Sequence, residues 1–169
     1  MGRIGQAVAK RAKGFNMKLL YNSRHRKTEF EKNTGARLVS LQKLLKESDF
    51  VTIHTPLTAQ TRHLIGPAEL RLMKPSAYLI NTARGPVVDE PALVRALKNK
   101  FIAGTGLDVY EHEPAIHPGL LKLNNVVLLP HLGSATTETR NKMAGLAAEN
   151  LIAGLGGKKP PNLVNPHYS

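Results

Sequence analysis

Short apolar runs that do not alternate with polar residues, each set off by stretches of helical period, recur along this 169-residue chain, and few folds accommodate them. Read as strands, the runs are Lys18–Tyr21, Phe50–His54, Ala77–Asn81, Ala103–Val109 and Val126–Leu129. The stretches of helical period are Gln6–Phe15, Leu41–Glu47, Pro67–Leu72, Pro91–Asn99 and a long Thr136–Leu155. A strand with one wet face alternates apolar and polar residues, whereas a strand covered by helices on both faces is apolar throughout. The pattern therefore predicts an α/β fold built on a doubly wound parallel sheet. Without repeats, low-complexity tracts or an interior linker, residues 1–155 are expected to form one domain. Residues 156–169 read as a tail that is unstructured or borrowed by a partner.

Composition narrows the function classes. A hydrophobic fraction of 41% supports one sizeable core, and the absence of cysteine excludes a disulfide framework and thiolate chemistry. No apolar run approaches the ~20 residues of a membrane span, and no signal-peptide core follows Met1, so the chain is read as cytoplasmic with no membrane partner. The net charge of +12 attracts polyanions non-specifically, but the basic residues are not interleaved with aromatics, of which there are four Phe and four Tyr. Nucleic acid is accordingly not expected as the ligand. No metal site is assigned.

The N-terminus, Met1-Gly2-Arg3-Ile4-Gly5-Gln6, matches the last four positions of G-x-G-x-x-G running into a helix. In the complete motif one glycine lets the backbone approach a pyrophosphate, another allows close helix packing, and the helix start presents unpaired N–H groups. Gly2 and Gly5, with Arg3 and Ile4 between them, can take those places. On its own the half-motif is a weak signal, since two glycines before a helix serve ordinary turns as well. The second strand then runs into Asn22-Ser23-Arg24-His25-Arg26-Lys27, where a fold selecting NAD carries a carboxylate for the ribose 2′-hydroxyl. Here there is none. Ser23, Arg24 and Arg26 instead suit a 2′-phosphate, so NADP(H) is preferred and NAD(H) remains possible. The plain alternative is a solvated basic loop. Together these features point to a Rossmann-type sheet, with residues 1–155 expected to be an NAD(P)-binding domain incomplete at its N-terminus.

Hydride reduction of a 2-keto acid needs a cation for the carboxylate, an acid for the carbonyl oxygen, and a partner that keeps the acid charged and oriented. Arg84 in Asn81-Thr82-Ala83-Arg84-Gly85, His131 in Pro130-His131-Leu132-Gly133-Ser134, and Glu113 after the strand ending near Val109 meet those needs. Each follows a strand, and crevices of open α/β sheets form at strand C-terminal ends. A guanidinium grips a carboxylate with two parallel bonds, and a carboxylate beside an imidazole raises its pKa. Each residue also has an ordinary reading as a surface ion pair, a structural loop histidine or a turn.

The series Gly2-Arg3-Ile4-Gly5, His54-Thr55-Pro56-Leu57-Thr58, Asn81-Thr82-Ala83-Arg84-Gly85, Gly106-Leu107-Asp108-Val109-Tyr110, Glu113-Pro114 and Pro130-His131-Leu132-Gly133-Ser134-Ala135 resembles the D-isomer-specific 2-hydroxyacid dehydrogenases, glyoxylate/hydroxypyruvate reductases in particular. The resemblance runs through almost the whole chain. It implies an oxidoreductase moving hydride between NAD(P)H and a small 2-keto acid such as glyoxylate or hydroxypyruvate. It implies Arg84 on the substrate, His131 as acid/base and Glu113 as its partner. It also implies Asp108 on the nicotinamide carboxamide, Thr55 and Pro56 beside the adenosine, and Thr82, Ala83 and Gly133 along the nicotinamide. NADP-preferring glyoxylate reductases carry a cluster similar to Ser23, Arg24 and Arg26.

The family is two-lobed, and against it this chain is expected to be N-terminally truncated, lacking the first strand and most of the substrate domain, to which residues 156–169 would return. A missing central strand leaves backbone edges unpaired. A homodimer is expected, because the family commonly pairs through this lobe. The alternative function is a catalytically inactive nucleotide-binding or protein-interaction module, of the kind represented by the related C-terminal-binding corepressors.

Overall fold

The structure, a computed structural model, describes residues 1–165. Its strands are β1 (Leu20–Tyr21), β2 (Arg37–Leu38), β3 (Phe50–Ile53), β4 (Tyr78–Asn81), β5 (Gly104–Leu107) and β6 (Val126–Leu128). Its α-helices are α1 (Arg3–Lys13), α2 (Thr28–Thr34), α3 (Leu41–Glu47), α4 (Pro67–Leu72), α5 (Glu90–Lys98) and α6 (Thr137–Leu155). These strands all pair in parallel: β1 with β2 in one sheet, and β3-β4-β5-β6 in another. The expected parallel α/β architecture is therefore present, but as two separate sheets.

Two compact units make up the chain, one from Met1 to Pro130 and the other beginning at His131. The division falls before α6 rather than at residue 155. Within the second unit Thr136 caps α6 by accepting the Thr139 N–H at 3.2 Å. The stretch after α6 contains neither helix nor strand as far as residue 165, yet it is not loose: Asn162 exchanges two bonds with Asn150, at 2.9 and 3.0 Å. The expectation of an unstructured tail is corrected to that extent, and residues 166–169 lie outside the described residues.

Local chemistry explains where the helices of the first unit begin. Ser40 caps α3 through the Lys43 N–H, and Asp89 caps α5 through the Ala92 N–H at 2.8 Å, each satisfying a donor that a first helical turn leaves open. Pro67 starts α4, where its missing N–H costs nothing, and Glu69 returns to accept the Gly66 N–H. The main core joins Leu45, Ile53, Ile65, Leu70, Leu79, Val87, Leu93 and Leu120. Leu79 on β4 and Leu93 on α5 are fully buried, and sequestering each leucine contributes roughly 2 kcal/mol. A smaller core of Ala9, Tyr21, Phe30 and Ala36 ties α1 and α2 to the two-stranded sheet, with Tyr21 and Phe30 edge to face at 6.5 Å.

Two sequence expectations need correction here. The Lys18–Tyr21 run yields only the two-residue β1, because β2 pairs with it at just two positions, Arg37 and Leu38. In addition, α2 and β2 were not expected at all: α2 carries a single buried apolar residue, Phe30, and both β2 residues are exposed, so neither leaves a periodic trace. Among the described residues no helix is long and apolar enough to cross a membrane.

Candidate functional site

The register of the four-stranded sheet sets Ile53 opposite Asn81, Asn81 opposite Leu107, and Leu107 opposite Leu128. The C-terminal ends of four parallel strands are therefore level, and the residues that follow them emerge along one edge. His54 and Thr55 follow β3, Thr82 to Arg84 follow β4, Asp108 follows β5 and Leu129-Pro130 follow β6. The ladder continues one step past the strands, with the Asp108 N–H donating to the Asn81 carbonyl at 3.0 Å and the Leu129 N–H to Leu107 at 2.9 Å.

The first turn of α1 belongs to the same edge. A Cβ added at Gly5 would sit 3.3 Å from Met1 Cγ and 3.4 Å from His54 Cβ, so this glycine lets the helix press against the end of β3. Burial holds the His54 pKa below its ordinary value. Gly2 is in extended conformation at the N-cap; among the described residues no side chain caps the helix start, and beyond its two chain neighbours none places an atom within 4 Å of where a Gly2 Cβ would lie. The turn thus presents N–H groups and the positive end of the helix dipole next to open space, which is what a pyrophosphate requires. Arg3 and Ile4 complete the turn, both exposed.

The basic loop after β1 reaches the same place, since the Met1 amino group donates to Ser23 Oγ. Its members differ in commitment. Arg26 pairs with Glu31 at 2.9 Å, and Tyr21 Oη both donates to Glu31 at 2.8 Å and accepts the Lys27 N–H. Burial raises the Tyr21 pKa, so its hydroxyl stays protonated as donor in that knot. Arg24 is exposed and Ser23 half-buried. No carboxylate stands between Asn22 and Lys27.

The Arg84 turn is braced by Asn81, which is 1% exposed: its Oδ1 accepts the Ala83 N–H at 3.1 Å and its Nδ2 donates to the Arg84 carbonyl at 3.0 Å. Thr82 and Arg84 are exposed and Ala83 half-buried, while Arg84 Nη1 donates to the Ala83 carbonyl at 2.7 Å. The neighbouring loop holds Asp108, 5% exposed, and Glu113, whose Oε1 accepts the Tyr110 N–H at 2.9 Å; the Glu113–Pro114 peptide is cis. The two loops touch backbone to backbone where Gly85 meets the Tyr110 carbonyl. Tyr110 Oη in turn donates to the Leu129 carbonyl at 2.8 Å, tying the β5 loop to the end of β6.

Thr55 is half-buried and Pro56 exposed; the Pro56 carbonyl accepts from Thr61 Oγ1 at 2.6 Å, which closes the loop after β3. His131 opens the second unit, exposed, with φ 56°, a left-handed backbone conformation uncommon for a residue bearing a side chain. Gly133 follows in the turn closed by the Ala135 N–H on the Leu132 carbonyl. The first unit thus brings Gly2, Gly5, Ser23, Thr55, Arg84, Asp108 and Glu113 to the sheet edge or the loops beside it, while His131 and Gly133 belong to the other unit.

Sequence reasoning did not single out Asn81, Gly85 or Tyr110 for a role of its own. The signal was present only as their place inside motif stretches, since their partners come from other strands.

The chain has clear relatives among known proteins. A family model described as D-isomer specific 2-hydroxyacid dehydrogenase, NAD binding domain, matches residues 1–133. A glyoxylate reductase of Thermococcus litoralis is 62% identical over 164 residues, 97% of this chain and 50% of its own length. Among solved structures, a glyoxylate reductase from Paecilomyes thermophila is 45% identical with a TM-score of 0.84, over 94% of this chain and 48% of that one. An NADPH-dependent glyoxylate/hydroxypyruvate reductase from Sinorhizobium meliloti, in complex with NADP and malonate, is 39% identical with a TM-score of 0.84, over 91% of this chain and 48% of that one. The chain spans about half the length of the curated relatives it matches. With that match and the parallel sheet behind it, the chain belongs to the D-isomer-specific 2-hydroxyacid dehydrogenases, as a form of their NAD-binding domain.

Proposed function

We propose that this chain is the cofactor-binding half of a reductase for a small 2-keto acid, glyoxylate or hydroxypyruvate, with NADPH preferred over NADH. The observation that carries the reading is the backbone contact between the Arg84 turn and the Glu113 loop, made at Gly85 and Tyr110 on the edge where the α1 start also lies. The names of the relatives, glyoxylate reductases, point to the same substrates.

The residues present fit a nicotinamide dinucleotide. The uncapped α1 start and the space beside Gly2 suit its pyrophosphate, and the half-buried Thr55 with Pro56 offers a border for the adenosine. Asp108, Thr82, Ala83 and Gly133 are the residues for the nicotinamide. Arg24 and Ser23 favour a 2′-phosphate, whereas the guanidinium of Arg26 is already engaged by Glu31. When bound, the cofactor supplies the hydride.

The chain's own groups do the rest. Arg84 gives up its bond to the Ala83 carbonyl and grips the substrate carboxylate with two parallel N–H donors, which fixes the keto carbon. His131 gives its proton to the carbonyl oxygen as the alcohol forms. The family resemblance assigns Glu113 as the carboxylate that would keep the imidazolium charged. The exposed apolar residues of α6, including Met143, Leu151, Ile152 and Leu155, support a homodimer as the working state.

The test is oxidation of NADPH on addition of glyoxylate or hydroxypyruvate, in the wild type and in His131→Ala. Keto-acid-dependent oxidation that His131→Ala abolishes supports the reductase. Turnover that survives the substitution overturns it, and NADPH binding without any turnover favours a nucleotide-binding module.

A further inference from the structure

Between the segments that carry Arg84 and Glu113, His63, Glu90 and Glu111 form a cluster that the proposed reaction does not use. Glu111 Oε1 meets His63 Nε2 at 2.6 Å, and its Oε2 accepts the Glu90 N–H at 3.3 Å. In return Glu90 Oε1 accepts the Glu111 N–H at 2.5 Å. The carboxylates are buried, with the Glu111 side chain 7% exposed and Glu90 4% exposed as a residue. His63 also binds through its backbone, donating its N–H to the Pro86 carbonyl at 2.8 Å, and it does so with φ 51°. Two residues on, the Ile65 N–H donates to the Val87 carbonyl and the Ile65 carbonyl accepts the Asp89 N–H, both at 3.1 Å.

We propose that His63, Glu90 and Glu111 are positioning residues that hold the Arg84 turn and the Glu113 loop at one separation for the keto acid, an inference that rests on the reductase reading. Arg84 and Glu113 lie 29 positions apart in sequence, and two bonds between Glu90 and Glu111 join the segments that carry them. Glu111 lies two residues before Glu113, and Glu90 opens α5 six residues after Arg84. Each glutamate fastens its carboxylate to the other's backbone, so neither loop can shift along the other without breaking both bonds. His63 then pins the loop after β3 to the same pair.

The chemistry suits a fixed brace. Glu90 N–H belongs to the first turn of α5, which has no intrahelical partner, and a carboxylate there is favoured by the helix dipole. Two adjacent buried carboxylates cannot both ionise cheaply. Burial, with the charge of Glu111, pushes Glu90 up against the smaller pull of the Glu111 N–H, His117 and His112. Burial also pushes on Glu111, but the bonds from His63 and the Glu90 backbone, with the charges of His63 and His112, leave it below the ordinary value. Of the two, Glu90 is thus the one that takes up a proton first, and the Glu111 carboxylate faces His63.

The experiment uses the intact protein and compares His63→Ala with His63→Gln, whose amide still donates to Glu111. In His63→Ala, kcat/KM for the keto acid is expected to fall about tenfold while KM for NADPH moves less than about twofold. Amide hydrogen exchange at Glu90 and Glu111 should quicken by about tenfold or more, and His63→Gln should recover most of both losses. Unchanged exchange overturns the brace whether or not turnover is seen. Quickened exchange with unchanged kcat/KM, or equal losses toward keto acid and NADPH, overturns the positioning role. Quickened exchange in a protein whose wild type turns over no keto acid overturns the reductase reading instead, and leaves the brace standing as structure alone.

Discussion

A Cβ placed on Gly85 would lie 1.8 Å from the carbonyl oxygen of Tyr110 and 1.9 Å from its carbonyl carbon. Two backbones therefore occupy the space that any side chain at Gly85 would need. Because both partners are main chain, neither can rotate away, unlike the flexible side-chain ends that usually absorb such a contact.

Gly85→Ala should destabilise the fold by on the order of 3 kcal/mol and separate the Arg84 turn from the Glu113 loop. Urea unfolding of the purified variant checks the first part. A loss under about 1 kcal/mol would show that the loops move apart freely.

Asn81→Ala removes both of its bonds to the Arg84 turn, taking that partner from the Ala83 N–H, while the Arg84 carbonyl keeps the Val87 N–H at 3.2 Å. The expected cost is about 3 kcal/mol, with KM for the keto acid rising as the guanidinium loses its fixed platform. Wild-type stability in the variant would mean that water replaces the amide.

The Glu90–Glu111 pair predicts opposite pH dependences from its two members. The raised Glu90 contributes stability that is present below its ordinary value of 4.5 and is lost as pH rises through its folded value. The lowered Glu111 contributes stability that is present above 4.5 and is lost as pH falls through its folded value. Glu90→Gln should therefore gain on the wild type as pH rises above 4.5, whereas Glu111→Gln should lose least at acid pH. Denaturant midpoints across that range read both slopes, and parallel curves for all three proteins would refute the assignment.

Within the basic loop, Arg24 and Arg26 should not behave alike. Arg24→Ala is expected to weaken NADPH about tenfold and NADH hardly at all, since a charge-assisted bond to phosphate is lost. Arg26→Ala should weaken NADPH by less than about threefold, because its guanidinium is occupied by Glu31. Equal effects in a fluorescence titration would place the 2′-phosphate between the two arginines.

Most of the fold was legible because its strands are short apolar runs, as at Phe50–Ile53, Tyr78–Asn81 and Val126–Leu128, although Phe50, Tyr78 and Val127 leave part of each exposed. Whereas α5 begins one residue before the expected Pro91, at Glu90, the start of α4 was legible from Pro67. The β1–β2 sheet was not, since Arg37 and Leu38 form a strand only through their pairing with Leu20 and Tyr21. The division of the chain before α6 left no trace either, because α6 reads as an ordinary helix whichever unit claims it.

The sequence by itself determined which chemical groups are available and that they follow strands: Arg84 after β4, Asp108 after β5, the glycines at the start of α1. Those are properties of neighbours in the chain, set by periodicity and by backbone freedom. Only the tertiary structure decided that Gly85 meets Tyr110, that His63 reaches Glu111 across 48 positions, and that Arg26 is engaged by Glu31 while Arg24 is exposed. Such pairings depend on strand register and on which groups compete for one carboxylate, and neither is encoded within any single segment.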